Sequence, residues 1–323
     1  MARCDRENPD VRNFGLGSRD LDRAGQYALR EGMQSYSSIS TMADRWSKFA
    51  AFSQQELGVS DMRRLDTDHL RQYGDHLRER LERGEIGPAT AQNLLSTVNR
   101  VMEIARGDRA VRLDPVREAG LPERSGVATT DRSVSQHDHQ SALAALPERL
   151  GAMIELQRGL GLRFEESAKI DARSALARAE RTGQIRVEHG TKGGLARDVP
   201  ITRPEQVNTL RQVAAVQGAD RSMIPAQQSY AEFRCEAYQH IRAQSIQCHG
   251  ERHAYAQARY ETLTGVVCPV VAGIKHGRAH IEHIAAQLGI NAQEARAIDQ
   301  EARLQVASEL GHGRVDVTNA YLG

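Results

Sequence analysis

Four short segments in the second half of the sequence carry side chains suited to phosphate chemistry. They are Gly161-Leu162-Arg163-Phe164-Glu165-Glu166, Thr191-Lys192-Gly193-Gly194, His249-Gly250-Glu251-Arg252-His253, and Leu310-Gly311-His312 with Tyr321 nine positions later. A phosphodiester under nucleophilic attack passes through a five-coordinate arrangement with extra negative charge on its non-bridging oxygens. Guanidiniums such as those of Arg163 and Arg252 stay protonated and offer paired hydrogen bonds to those oxygens. His249 and Arg252 are three positions apart, so on a helix they project from one face. A helix N-terminus at that point would add amide donors. A tyrosine can attack and hold the cut strand as an ester, while a lysine or imidazole protonates the departing 5′ oxygen. The bond energy stays in the ester, so such a site needs neither metal nor ATP, and no cofactor is expected.

Each segment alone has an ordinary explanation. An Arg and a Glu three apart can pair on a helix surface, a glycine-rich hairpin tip often carries an exposed lysine, and Leu-Gly-His can simply end a helix. Their order, with His312 and Tyr321 close together at the end of the sequence, makes the signal.

Arg-x-x-Glu, a hairpin Lys, His-x-x-Arg, and Leu-Gly-His followed by Tyr occur in this order in the tyrosine recombinases, the family of phage integrases and chromosome-dimer resolvases, which this sequence resembles from about residue 36 to 323. The resemblance implies catalytic residues Arg163, Lys192, His249, Arg252, His312 and Tyr321. Arg163 and Arg252 would clamp the scissile phosphate, and Lys192 would be the general acid. His249 would assist proton transfer at the nucleophile, His312 would hydrogen-bond the phosphate, and Tyr321 would attack. Glu166 matches the buttressing acid behind the first arginine. The implied activity is site-specific strand exchange through a 3′-phosphotyrosyl intermediate, serving integration or excision of a mobile element. The implied partner is double-stranded DNA, gripped by a C-shaped clamp, with protomers assembling as a tetramer. The alternatives are an inactive DNA-binding protein of the same fold and a type IB topoisomerase-like enzyme that relaxes supercoils.

The sequence departs from the family pattern in three places. Position 251 is Glu where relatives usually have an apolar residue, so the packing there should differ. The 60 positions from Arg252 to His312 suggest an insertion over residues 265–304. Only Leu322 and Gly323 follow the tyrosine, which leaves no helix to dock into a neighbouring protomer. The insertion is then the candidate for that contact.

The elements that must position these residues give a mainly α fold with a small β-sheet. Residues 1–35 read as an N-terminal extension with one helix, near 18–34. Met42, Trp46, Phe49 and Phe52 mark a helical face. A second helix begins after Asp66 or Thr67 and stops at Gly84. A third opens at Pro88 and runs towards Gly107. Together residues 36–110 form a helical domain, the core-binding (SAM-like) domain in the resemblance. Residues 111–134, with prolines, glycines and little periodicity, read as a linker. The remaining residues, 135–323, form the α+β catalytic domain. In it Gln184–Glu188 and Arg197–Ile201 alternate apolar and polar about three glycines, a β-hairpin. Helices follow near 203–217, 227–247 and 250–262.

The bulk numbers bound the class. The chain has 323 residues, 40% hydrophobic and 26% charged, the balance of a globular protein. Net charge is +1, which announces no nucleic-acid partner by itself; only four of the 43 basic residues are lysine. The N-terminus is charged and unlike a signal peptide, and the most apolar segment, 265–274, is too short to cross a bilayer. Cys4, Cys235, Cys248 and Cys268 form no CxxC pair, which fits a cytoplasmic protein with reduced thiols. His276, His280 and His283 fall on one helical face without an acidic or cysteine partner, and read as a solvated polar face with no metal. Ile284–Gly289 followed by Glu294-Ala295 has the look of a helix-turn-helix.

Overall fold

The computed structural model describes residues 6–244 and 246–323. The expectations for the extreme N-terminus and Cys4 lie outside the described residues. The chain divides into two compact units, residues 1–124 and 125–323.

The first unit is a bundle of α1 (Leu21–Gly32), α2 (Tyr36–Gln55), α3 (Thr67–Glu82) and α4 (Pro88–Arg106). Local chemistry sets their ends. The Asp20 carboxylate accepts from the Arg23 amide at the start of α1, and Asp66 from the His69 amide at the start of α3. Pro88 opens α4, and Gly107 ends it in the left-handed region. The core gathers Trp46, Phe49, Leu70, Tyr73, Leu77, Leu94, Leu95 and Val98. Burying each large apolar side chain is worth about 1.5–3 kcal/mol.

The expected N-terminal extension is part of this bundle. Phe14, Leu16, Leu21, Ala24, Ala28 and Leu29 are buried in the same core, and the Trp46 indole N–H donates to the Leu21 carbonyl at 3.2 Å. The spacing of Leu21, Ala24 and Ala28 fits one face of a helix, and α2 covers that face.

The boundary between the two units, at 124/125, falls inside the expected linker, and each flank of that segment packs into its own unit. Val111, Leu113, Ala119 and Leu121 enter the first core, with the Asn99 amide bonded to both backbone groups of Leu113. Further along, the Val134 amide donates to the Gly250 carbonyl and the Ala128 amide to the Asn319 carbonyl, inside the second unit. Residues of low periodicity can still pack when side chains from elsewhere meet their backbone groups, as at Leu113.

The second unit is helical with one two-stranded antiparallel sheet. Its helices are α5 (Gln136–Ala145), α6 (Glu148–Leu160), α7 (Phe164–Lys169), α8 (Ala172–Thr182), α9 (Pro204–Gln217), α10 (Tyr230–Ala243), α11 (Cys248–Thr264), α12 (Pro269–Ala272), α13 (Arg278–Leu288), α14 (Ala292–Glu309) and α15 (Asn319–Leu322). Strands β1 (Gln184–Val187) and β2 (Arg197–Pro200) pair Ile185 with Val199 and Val187 with Arg197. This is the mainly α fold with a small sheet that the sequence implied.

Residues 265–304 do not form a separate module. Cys268 and Ala302 belong to the main core of the unit, and α14 runs unbroken from 292 to 309, straight through the expected boundary. Only Val266, Ile284 and Ala295 make a small cluster of their own. Gly289 and the Asn291 cap join α13 to α14 by a short turn. The histidines do not share a solvated face: His276 precedes α13, and His280 is buried against Tyr260 and Asp299. The acidic partner missing from the local sequence comes from α14, nineteen positions on.

Candidate active site

Helix α6 ends at Gly161, whose left-handed backbone (φ 64°) turns the chain sharply into α7. A Cβ there would lie 2.5 Å from the Tyr255 ring, so only glycine fits. Arg163 then caps α7, and Glu166, one turn on, reaches back to accept from the Arg163 amide at 2.7 Å. The same carboxylate accepts from the Arg163 guanidinium at 2.6 Å.

Glu166 is buried and has a second cation that sequence reasoning missed. Arg197, at the start of β2, makes a two-pronged contact with both Glu166 oxygens at 2.7 Å each, and its Nε donates to the Glu309 carbonyl at 2.7 Å. Burial alone would raise the Glu166 pKa; the Arg197 hydrogen bonds and charge, with help from Arg163, overcome it and hold the carboxyl at about 2. The available signal was period two in β2: Arg197 shares the inward face with Val199, an unusual place for a charge.

Helix α11 begins at Cys248, so His249 and Arg252 occupy its first turns on one side. Arg252 is fully buried. Its guanidinium donates to the Gly161 and Leu310 carbonyls and lies 3.8 Å from Glu166. Its Nε donates to the Tyr321 hydroxyl at 3.4 Å, and its Nη2 is 3.4 Å from His312 Nε2. Burial lowers the Arg252 pKa to about 10, with the Tyr321 phenol partly offsetting it.

His312 is presented by the end of α14. The Gly311 amide bonds to the Ser308 carbonyl and the His312 amide to Ala307, the paired bonds of a Schellman motif. Leu-Gly-His does end a helix, and by doing so it aims the imidazole at the site. Its ring centre is 5.5 Å from that of Tyr321. Burial, then the charges of Arg252 and Arg163, push its pKa down to about 4. His249 lies at the open edge, 5.5 Å from the Tyr321 ring, and the same three causes lower its pKa. His253 packs closer, at 4.6 Å, and is buried. The Tyr321 side chain is buried among these rings.

Arg163, Glu166, His249, Arg252, His312 and Tyr321 therefore converge. Lys192 does not: it sits exposed on the turn between β1 and β2 and makes no hydrogen bond or ion pair among the described residues. Glu251 explains the departure at its position. It is fully buried, accepting from Arg158 at 2.7 Å and meeting His139 Nδ1 at 3.0 Å, and so ties α11 to α5 and α6 one residue from Arg252.

Chemically, three guanidiniums surround one carboxylate, so the pocket carries an unbalanced positive charge beside a phenol. That suits an incoming oxyanion. Among the described residues, no cluster of His, Cys, Asp and Glu is arranged to hold a metal ion, and no helix is long and apolar enough to cross a membrane.

No curated protein sequence matches the chain. Residues 123–262, spanning Arg163 to Arg252, match the integrase family model. Among solved structures, the chain is similar to an integrase of the Tn1549 transposon in complex with circular intermediate DNA, at 12% identity and a TM-score of 0.54, covering 95% of this chain and 96% of that one. It is also similar to a lambda integrase dimer bound to a COC′ core site, at 14% identity and TM-score 0.50, covering 86% and 93%. A lambda integrase tetramer bound to a Holliday junction gives 14% identity and TM-score 0.51, covering 79% and 74%. The second unit thus carries the integrase family match, and the chain shares the fold of these DNA-bound integrases.

Proposed function

We propose that the protein is a site-specific DNA recombinase that cuts and rejoins strands through a 3′-phosphotyrosyl bond to Tyr321. The observation that carries this reading is the meeting of Arg252 with the Tyr321 hydroxyl, 3.4 Å apart in a pocket whose cations exceed its anions. Arg163 and Arg252 hold the non-bridging oxygens, and Glu166 with Arg197 fixes the first of them. Neutral His249 takes the phenolic proton, since its lowered pKa leaves it unprotonated at neutral pH. His312 donates to the phosphate. Lys192, on its unpaired hairpin tip, protonates the 5′ oxygen as it leaves. The bound DNA brings tip and phosphate together in this scheme.

Double-stranded DNA is the substrate, and protomers act as a tetramer, as the lambda integrase tetramer does on a Holliday junction. The first unit serves as the helical core-binding domain. Next to the site, the ring of Tyr238 of α10 packs tilted against Phe164, centres 5.0 Å apart, and Arg234, Gln239 and Arg242 are exposed along the same helix. These groups suit a phosphate backbone. Integration or excision of a mobile element is the biological role that this chemistry and family favour.

The test is a trapping assay: DNA nicked beside the scissile phosphate, incubated with protein and without divalent metal, then denatured. A covalent adduct is expected with the wild type and none with Tyr321→Phe, which should still bind DNA. An adduct of normal yield in Tyr321→Phe would remove that residue from the mechanism. DNA binding without any adduct would favour an inactive binding protein, and relaxation without strand exchange a topoisomerase.

A further inference from the structure

Helix α15, which carries Tyr321, is four residues long. A helix so short has almost no stability of its own. Its position must come from tertiary contacts, and one side chain supplies two of them.

Arg303 of α14 is buried, 4% exposed. Its Nη1 donates to the Asn319 side-chain oxygen at 2.8 Å, and its Nη2 to the Gly323 carbonyl at 3.0 Å. These are the residues two before and two after Tyr321. The guanidinium is in turn held by both Asp299 oxygens, at 2.9 and 3.0 Å from Nε, and its carbon lies 5.7 Å from the centre of the Tyr260 ring. The Tyr260 hydroxyl donates to Asp299 at 2.5 Å, and His280 Nε2 lies 3.2 Å from the same oxygen. Tyr260 stands two turns beyond Arg252 on α11. The circuit closes: α11 holds Asp299 of α14, Arg303 holds α15, and α15 places Tyr321 against Arg252.

We propose that Arg303 is a positioning residue for the nucleophile, clamping both ends of the turn that carries Tyr321 so that its hydroxyl faces Arg252 in cis. The inference rests on the reading of Tyr321 as the nucleophile, but the clamp itself can be tested without it. Residues 265–304 thereby acquire a task within the protomer, since the segment supplies His280, Asp299 and Arg303.

The experiment uses Asn319→Ala, which removes one hand of the clamp and leaves the Arg303–Asp299–Tyr260 group intact, with Asn319→Asp as the variant that keeps an acceptor oxygen. Hydrogen exchange of a peptide covering 311–323 should speed up at least tenfold in Asn319→Ala, while a peptide within α11 is unchanged. Single-turnover adduct formation should fall on the order of 10- to 100-fold, as for a misplaced reacting group, with DNA affinity kept. Asn319→Asp should restore both. Wild-type exchange in Asn319→Ala would overturn the clamp. Faster exchange with undiminished adduct formation would overturn its positioning role. A wild type that forms no adduct, with the exchange result as expected, would leave the clamp standing and sink only the reading of Tyr321 as nucleophile.

Discussion

Arg252 and Tyr321, 69 positions apart in sequence, meet with Nε 3.4 Å from the phenolic oxygen and the guanidinium carbon 5.9 Å from the ring centre. A phosphate entering this space finds one cation already beside the attacking oxygen. Arg252→Ala should therefore slow single-turnover cleavage by two or more orders of magnitude, a loss of about 3 kcal/mol of charge stabilisation. Arg163→Ala should do the same by removing the other half of the clamp. Undiminished cleavage in either variant would refute the assignment.

Arg197 touches no reacting atom in this scheme, yet Glu166 depends on it. Arg197→Ala leaves a buried carboxylate without its two-pronged partner and should cost about 3–5 kcal/mol of unfolding free energy. Urea melts of the second unit would measure it. A loss below about 1 kcal/mol would show that Arg163 and Arg252 suffice for Glu166.

Lys192 is the proposed acid that the folded chain leaves away from the other groups. Lys192→Ala should lower cleavage by roughly 10²- to 10⁴-fold on ordinary DNA. A 5′-bridging sulfur at the scissile position leaves without needing a proton, so the deficit should vanish on that substrate. An equal deficit on both substrates would move the lysine from acid catalysis to DNA contact.

Stability should fall on both sides of neutrality. His253 and His312 sit near about 4 in the folded chain, each lowered first by burial and then by neighbouring cationic or imidazole groups. Unfolded imidazoles titrate near about 6.5. The folded chain thus binds fewer protons than the unfolded one between these values, and stability drops as pH falls through that window. His139 has the opposite sign: burial opposes its charge, but hydrogen bonds to Glu155 and Glu251 lift it to about 9. Its contribution is complete below its unfolded value and disappears as pH rises through 9. Melts across pH should show the acid decline shrink in a His253→Asn, His312→Asn double variant, and an unchanged decline would exclude these residues as its cause.

Much of this was legible because it is local. Asp66, Pro88 and Gly107 announce helix ends through their own backbone chemistry, and the alternation about Gly190, Gly193 and Gly194 announces the hairpin. Arg163, His249, Arg252, His312 and Tyr321 were legible as residue types in order, and the fold brings them together. Arg197 was not, because its place on the inward face beside Val199 marks an odd charge without naming the partner, and Glu166 lies 31 positions away in sequence. Glu251 was visible only as an oddity; His139, 112 positions away, gives it a reason. The segment 265–304 looked like an insertion because counting positions between motifs measures length and says nothing of contacts. Its buried Cys268 and Arg303 and half-buried Asp299 are contacts, and they make a deletion there a disturbance of the site itself.

Helix α14 fixes both sides of the reacting pair. Arg303 grips the turn of Tyr321, and seven residues further, about 10 Å along the axis, the Leu310 carbonyl grips Arg252. Cation and phenol are thus gauged from one ruler. A shift of that rod carries both marks together, so the gap between them keeps its calibration.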